Sequence, residues 1–213
     1  RTMYGLTFFA PPLSRFYAAN RAKLGSPFKC IQIDKSYRAE RPQKGRMREF
    51  VQCDIDILGS ESPLCELELI DTTAAALNRL AIGSFTIRTG DRRLLKGCLA
   101  ACGVAEDQMD TVCISLDKWD KIGAAGVRGE LEQKQLDAAV IDRICTLLEG
   151  DRSLDSVESH CGDGEILQRT RKLIADVETL AAGSYQVRFV LLLVRGQGYY
   201  TGSGFVIQSG QFK

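Results

Sequence analysis

The chain has 213 residues, 45% of them apolar and 26% charged, with a formal net charge of +1. That size and apolar content support a buried core, expected as one domain with a smaller appended lobe, and exclude a disordered chain. Near-neutrality excludes a global field drawing the protein to nucleic acid or membrane, so any cationic function has to be local.

No stretch reaches the eighteen or so apolar residues of a membrane span. The longest candidate, FVLLLV at 189–194, has the length of a buried strand. The N-terminus, RTMYGLTFFAPP, is apolar but lacks a signal-peptide layout and an initiator Met, so the expectation is a fragment. Eight cysteines (30, 53, 65, 98, 102, 113, 145 and 161) occur without C-x-x-C spacing, beside a single histidine, His160. Reduced cytosolic thiols and no structural metal are expected. Cys98 and Cys102 share a helix face at i, i+4, and His160-Cys161 forms a second soft pair.

In chain order, residues 11–24 read as a helix opened by proline and closed by Gly25. Two strands follow, 28–38 and 48–58, joined by a polar loop with Pro42 and Gly45 in an antiparallel hairpin. Six cations, Lys35, Arg38, Arg41, Lys44, Arg46 and Arg48, stand against Glu40 within 35–48. A solvated hairpin is the ordinary alternative to a binding role for them. Period-two alternation places Phe50, Gln52, Asp54 and Asp56 on one face of the second strand and Val51, Cys53, Ile55 and Ile57 on the other. In the first strand Gln32, Asp34, Ser36 and Arg38 share a face. A polar sheet face of this kind is costly unless it lines a pocket.

Residues 63–81 predict a long helix ending near Gly83, then a strand at 84–88. Asp91 is expected to cap a further helix that stops at Gly103. From 105 to 182 the pattern is almost wholly helical, broken by a loop at 150–164, in which His160 reads as surface. The last strands, 185–195 and 199–208, are expected to rejoin the first sheet. The order makes an α+β fold, with a core of 1–104 and 183–213 and a helical insertion lobe of 105–182.

Three segments carry a resemblance to the histidyl-tRNA synthetase family. YRAERPQKGRMREFVQCDID, at 37–56, is similar to its motif 2, LDKWDKIGAAGVRGEL to its insertion region, and LVRGQGYYTG, at 193–202, to its histidine-specific signature. LTFFAPPLSRFYA falls near its L-T-x-P-x-x-R segment. The resemblance spans most of the chain and implies a class II synthetase-like antiparallel sheet flanked by helices.

It also implies roles. Arg38 would contact the α-phosphate of ATP and the amino-acid carboxylate, with Arg195 supplementing it as the second catalytic arginine. Adenylate formation builds negative charge at the α-phosphorus, and a guanidinium offers two parallel donors to it. Glu40 would face adenine, and Arg46 and Arg48, with Arg41 and Lys44, would lie toward pyrophosphate or the tRNA acceptor end. Gln52 and Asp56 would read histidine, Tyr199 and Tyr200 would wall its imidazole, and Thr7 would help hold its α-amino group. The family uses ATP with Mg, is cytoplasmic and is dimeric.

Departures from the family pattern cluster near the amino-acid pocket. Gly5 stands where an acid is expected two residues before Thr7, Gln197-Gly198 replaces Leu-Asp, 189–194 is unusually apolar, and 7–15 is about three residues longer than the family pattern. Motif 1, motif 3 and an anticodon-binding domain fall outside this stretch, so a truncated core is expected and a monomer is compatible with it. Two function classes follow: a histidine-activating catalytic core, or a non-catalytic ligand-binding module, a redesigned or regulatory synthetase-like core with a remodelled pocket that binds histidine or a related small molecule. RNA binding by the basic hairpin alone is a third.

Overall fold

The computed structural model describes residues 10–39, 41, 47–162, 164–193 and 201–210, in two compact units, Arg1–Leu69 and Ile70–Lys213. In the first unit, α1 (Ala10–Asn20) and a 3-10 turn (Arg21–Lys23) precede β1 (Phe28–Tyr37) and β2 (Glu49–Leu58). The strands pair antiparallel from Phe28↔Leu58 to Tyr37↔Glu49, as β-branched alternation on both sides of a Pro/Gly loop predicts. Phe16 and Tyr17 of α1 lie against Phe28, with ring centroids 6.3 and 5.9 Å apart. The helix α2 (Pro63–Arg79) begins in this unit, where Glu68 accepts from Lys29 of β1 at 2.6 Å.

The second unit contains β3 (Phe85–Asp91), α3 (Arg92–Ala101), α4 (Met109–Leu116), α5 (Trp119–Gln133), α6 (Ala138–Glu149), α7 (Leu154–Cys161), α8 (Glu165–Ala181), β4 (Gln186–Phe189) and β5 (Ser203–Ser209). Its core is built from α3 through α8, with Leu95, Leu99, Val112, Leu131, Ile144 and Val157 fully buried. Gly123 breaks α5 with φ of 66°, a conformation that costs an L side chain steric strain.

The α+β order is as the sequence predicts, and three details differ. Among the described residues, β4 and β5 pair not with the hairpin but with β3, in the order β4-β3-β5, parallel on one side and antiparallel on the other. Strand pairing is a long-range choice that hydrophobic periodicity does not encode. The apolar run FVLLLV stays in strand only to Phe189 and then turns, Leu193 N donating to Val190 O at 3.1 Å. The expected loop 150–164 contains α7, whose N-cap Ser153 accepts from Ser156 N at 3.2 Å and whose end is Gly162, φ 77°. His160 sits exposed on its last turn, with Nδ1 2.7 Å from Ser156 O.

Candidate functional site

The hairpin is buried the opposite way round from a simple amphipathic ribbon. Ile31, Ile33 and Val51, on the apolar face, are 64%, 66% and 67% exposed. Gln32, Gln52, Asp54 and Asp56, on the polar face, are half-buried, and Ser36 is fully buried. Partial desolvation of a row of carboxylates and amides requires internal hydrogen bonds or a ligand.

The internal bonds are partial. Gln32 Nε2 donates to Asp56 Oδ2 at 3.1 Å, and Gln52 Nε2 donates to both oxygens of Asp54 at 2.9 Å. The carbonyl oxygen of Gln52 is buried and has no partner among the described residues. Cys30 lies opposite Asp56, and burial, followed by the Asp56 charge, pushes its thiol pKa up. Ionised carboxylates and an amide oxygen can only accept, so this end of the face calls for a ligand rich in N–H donors.

At the other end of the same face the character reverses. Arg38 N donates to Arg48 O at 2.9 Å, extending the ladder past Tyr37 and Glu49. The Arg38 guanidinium lies 4.9 Å above the Phe50 ring, a cation–π seat that orients its planar fork and leaves it solvent-facing. No carboxylate pairs with it among the described residues. One face thus runs from an arginine at Phe50, through Gln52, to carboxylates at Asp54 and Asp56, complementary to a ligand with an anionic end and an N–H-bearing end. Lys35 does not belong to this group. Its ammonium is 2.7 Å from Glu49, and that hydrogen bond raises the lysine pKa and lowers the glutamate pKa.

In the second unit, residues 89–93 hold the described ends on both sides of 194–200. Val190 N donates to Thr89 O at 2.8 Å, and Gly90 lets the chain at Val190 pass so close that a Cβ would strike its carbonyl. On the far side Ser203 Oγ donates to Asp91 Oδ2 at 3.1 Å, and Thr89 Oγ1 donates to Gly204 O at 3.1 Å. Asp91, 1% exposed at its side chain, also caps α3 by accepting from Arg93 N at 2.8 Å and takes Arg93 Nε and Nη2 at 2.9 and 2.6 Å. The cap was legible in the sequence. The tie to Ser203 was not, because nothing local signals a contact across 112 positions.

The second unit also carries a cavity of about 620 Å³ lined by Arg88, Arg152, Arg171 and Arg188 together with acids. Its Arg171 is already taken by Asp155 and Glu158, both at 2.7 Å. None of the sequence-predicted site residues lines it.

Of the sequence-predicted site residues, Arg38, Arg48, Gln52 and Asp56 are on the hairpin, with the last two and Arg38 on one face. Thr7, Glu40, Arg46, Arg195, Tyr199 and Tyr200 lie outside the described residues. Arg38 suits a phosphate group, having donors to solvent and no carboxylate on it among the described residues. No group of three His, Cys, Asp or Glu that could hold a metal occurs among the described residues, and no helix among them is long and apolar enough to cross a membrane.

Comparisons with known proteins identify the family and the fold. The family model described as histidyl-tRNA synthetase matches residues 9–211. The histidine–tRNA ligase of Leifsonia xyli subsp. xyli is 44% identical over 95% of this chain and 50% of its own length. The crystal structure of histidyl-tRNA synthetase from a Nostoc species superimposes with a TM-score of 0.81 at 25% identity, covering 96% of this chain and 49% of that one. The ATP phosphoribosyltransferase regulatory subunit/histidyl-tRNA synthetase of Bacillus halodurans shares the fold, with a TM-score of 0.78 at 23% identity over 97% of this chain and 54% of that one. The chain therefore spans about half the length of the relatives it matches, and the expected class II synthetase-like fold holds. Matched by the family model along nearly its whole length, the chain belongs to the histidyl-tRNA synthetase family.

Proposed function

We propose that this chain is the amino-acid-recognising part of a histidyl-tRNA synthetase core, with residues 105–182 as its insertion lobe, and that the polar face of the hairpin binds histidine for activation by ATP. The observation that carries the reading is the half-buried row Gln52, Asp54 and Asp56, with the carbonyl oxygen of Gln52 buried and unpartnered, ending at the exposed Arg38. In this reading Asp56 accepts an imidazole N–H and Gln52 orients the ligand. Arg38, seated on Phe50, offers its donors to the carboxylate and to the α-phosphate. ATP supplies the adenylyl group that makes the carboxylate reactive, with pyrophosphate as the leaving group; the family also uses Mg. Arg195 would add a second guanidinium, Tyr199 and Tyr200 would flank the imidazole, Thr7 would hold the amino group, Glu40 would face adenine, and Arg46 and Arg48 would lie toward pyrophosphate or a tRNA acceptor end.

A binding module without adenylation is the second reading. It is favoured by Gly5 and Gln197-Gly198, which stand where the resemblance expects acids or a larger side chain. Losing a charge-assisted bond to the α-ammonium would cost about 1.5–3 kcal/mol, roughly one to two decades in affinity. Histidine-dependent exchange of labelled pyrophosphate into ATP separates the two readings. Exchange well above the no-histidine background supports the catalytic reading, and histidine binding without exchange supports the module.

A further inference from the structure

The two soft pairs visible in the sequence, Cys98/Cys102 and His160-Cys161, meet in the structure. Cys98 is fully buried on α3, and its Sγ lies 2.8 Å from Sγ of Cys161, which is exposed at the end of α7. Both are free thiols. A third cysteine, Cys102, is buried one turn along α3. Cys161 also packs over Gly97, where a Cβ would meet its Sγ at 3.8 Å, an ordinary van der Waals contact. No group of three metal-ligating side chains placed to hold an ion occurs among the described residues.

We propose that Cys98 and Cys161 form a reversible oxidative cross-link site that staples α3 to α7. The oxidant is a peroxide, and exposure decides the order of events. Cys161, at the surface, is attacked first: its thiolate takes the terminal oxygen of hydrogen peroxide, giving a sulfenic acid and, after protonation, one water. The sulfur of Cys98 then attacks Sγ of Cys161. The S–S bond forms, the S–O bond breaks, and the departing hydroxide leaves as a second water with the Cys98 proton. The two thiols together give up two electrons to the peroxide, and a dithiol reductant reverses the process.

Burial, first, and the neighbouring Cys161 sulfur hold the Cys98 thiol protonated well above the ordinary range. Free oxidants in solvent are therefore poor competitors for Cys98, which is left as the resolving thiol. Cys102, also buried, makes no sulfur hydrogen bond of this kind among the described residues, and its carbonyl accepts from Arg143 Nε at 2.8 Å. The link would close the chain across 63 positions, a long loop whose constraint is felt mainly by the unfolded ensemble.

The test treats the whole chain with stoichiometric hydrogen peroxide, quenches with N-ethylmaleimide under denaturing conditions, and reads intact mass and non-reduced peptide maps. The expected result is a loss of about 2 Da, a 98–161 linked peptide, reversal by dithiothreitol, and a midpoint of thermal unfolding raised on the order of 5–10 °C. Cys161→Ser should abolish link and shift, while Cys102→Ser should retain both. Because Cys161 is exposed, its serine variant is expected to fold, and its circular dichroism is compared with the parent. Alkylation of both Cys98 and Cys161 after treatment, a link through Cys102 instead, or terminal oxidation of Cys161 to the sulfinic acid would each overturn the proposal.

Discussion

Gln52 donates both of its useful amide contacts to Asp54, 2.9 Å to each carboxylate oxygen, and leaves its own carbonyl oxygen buried without a partner among the described residues. An unmatched buried acceptor costs roughly 1–3 kcal/mol of desolvation. A ligand N–H placed there recovers that cost. Gln52→Ala is expected to weaken histidine binding by about 3- to 10-fold, the worth of one neutral hydrogen bond, with little change in thermal stability. Calorimetric titration of both proteins checks this.

Arg38 is held by stacking on Phe50, and among the described residues no carboxylate pairs with it. Removing its charge should therefore disturb the ligand far more than the fold. If exchange is present in the parent, Arg38→Ala is expected to reduce it on the order of 100-fold, and Arg38→Lys to recover only part, because an ammonium lacks the bidentate fork. Phe50→Ala should act in the same direction more weakly, by loosening the guanidinium's seat.

Asp91 predicts a stability effect. Its buried carboxylate caps α3, holds Arg93 through two side-chain bonds and accepts from Ser203. Asp91→Ala removes the cap and leaves those donors unmatched, at a cost of about 3 kcal/mol. For a chain of this size the unfolding midpoint should fall on the order of 6–12 °C, as read by differential scanning calorimetry.

Asp110 supplies a pH dependence. The hydrogen bond from Lys96 at 2.8 Å, followed by the charge of Arg92 at 3.1 Å, lowers its carboxyl pKa from the ordinary value of 3.8. Because the folded-state pKa is the lower one, the stabilisation is fully present above about pH 4 and is lost as pH falls through the folded value. Asp110 is largely exposed, so screening keeps the effect small, but Arg92 is buried and loses a partner. Asp110→Asn is expected to lower the midpoint by about 2–4 °C at pH 7, with the gap to the parent closing as pH falls below the ordinary carboxyl value of 3.8. Thermal melts across pH check both parts.

The local elements were legible because their signals are local. Prolines 11 and 12 in the first turn of α1, the alternation in β1 and β2, and Asp91 before α3 each act within a few residues. The half-burial of Gln52 and Asp56 was legible too, since polar residues at every second position of an otherwise β-branched strand are a costly choice. What escaped were decisions made at long range. The pairing of β4 and β5 with β3 depends on which strand edge is free, and the short helix α7 buries only Val157, too little for a periodic signal in a polar stretch. The contact of Cys98 with Cys161 likewise follows from the packing of α3 on α7 and not from cysteine spacing.

The central claim is that the polar face of the hairpin reads histidine, and the most direct test is calorimetric titration of histidine into the chain and into Asp56→Ala. The account predicts saturable binding by the parent with a stoichiometry near one, weakened about 10- to 100-fold by the substitution, as loss of a charge-assisted bond requires. Histidine binding of equal strength to both proteins, or no binding to a folded parent, would contradict it.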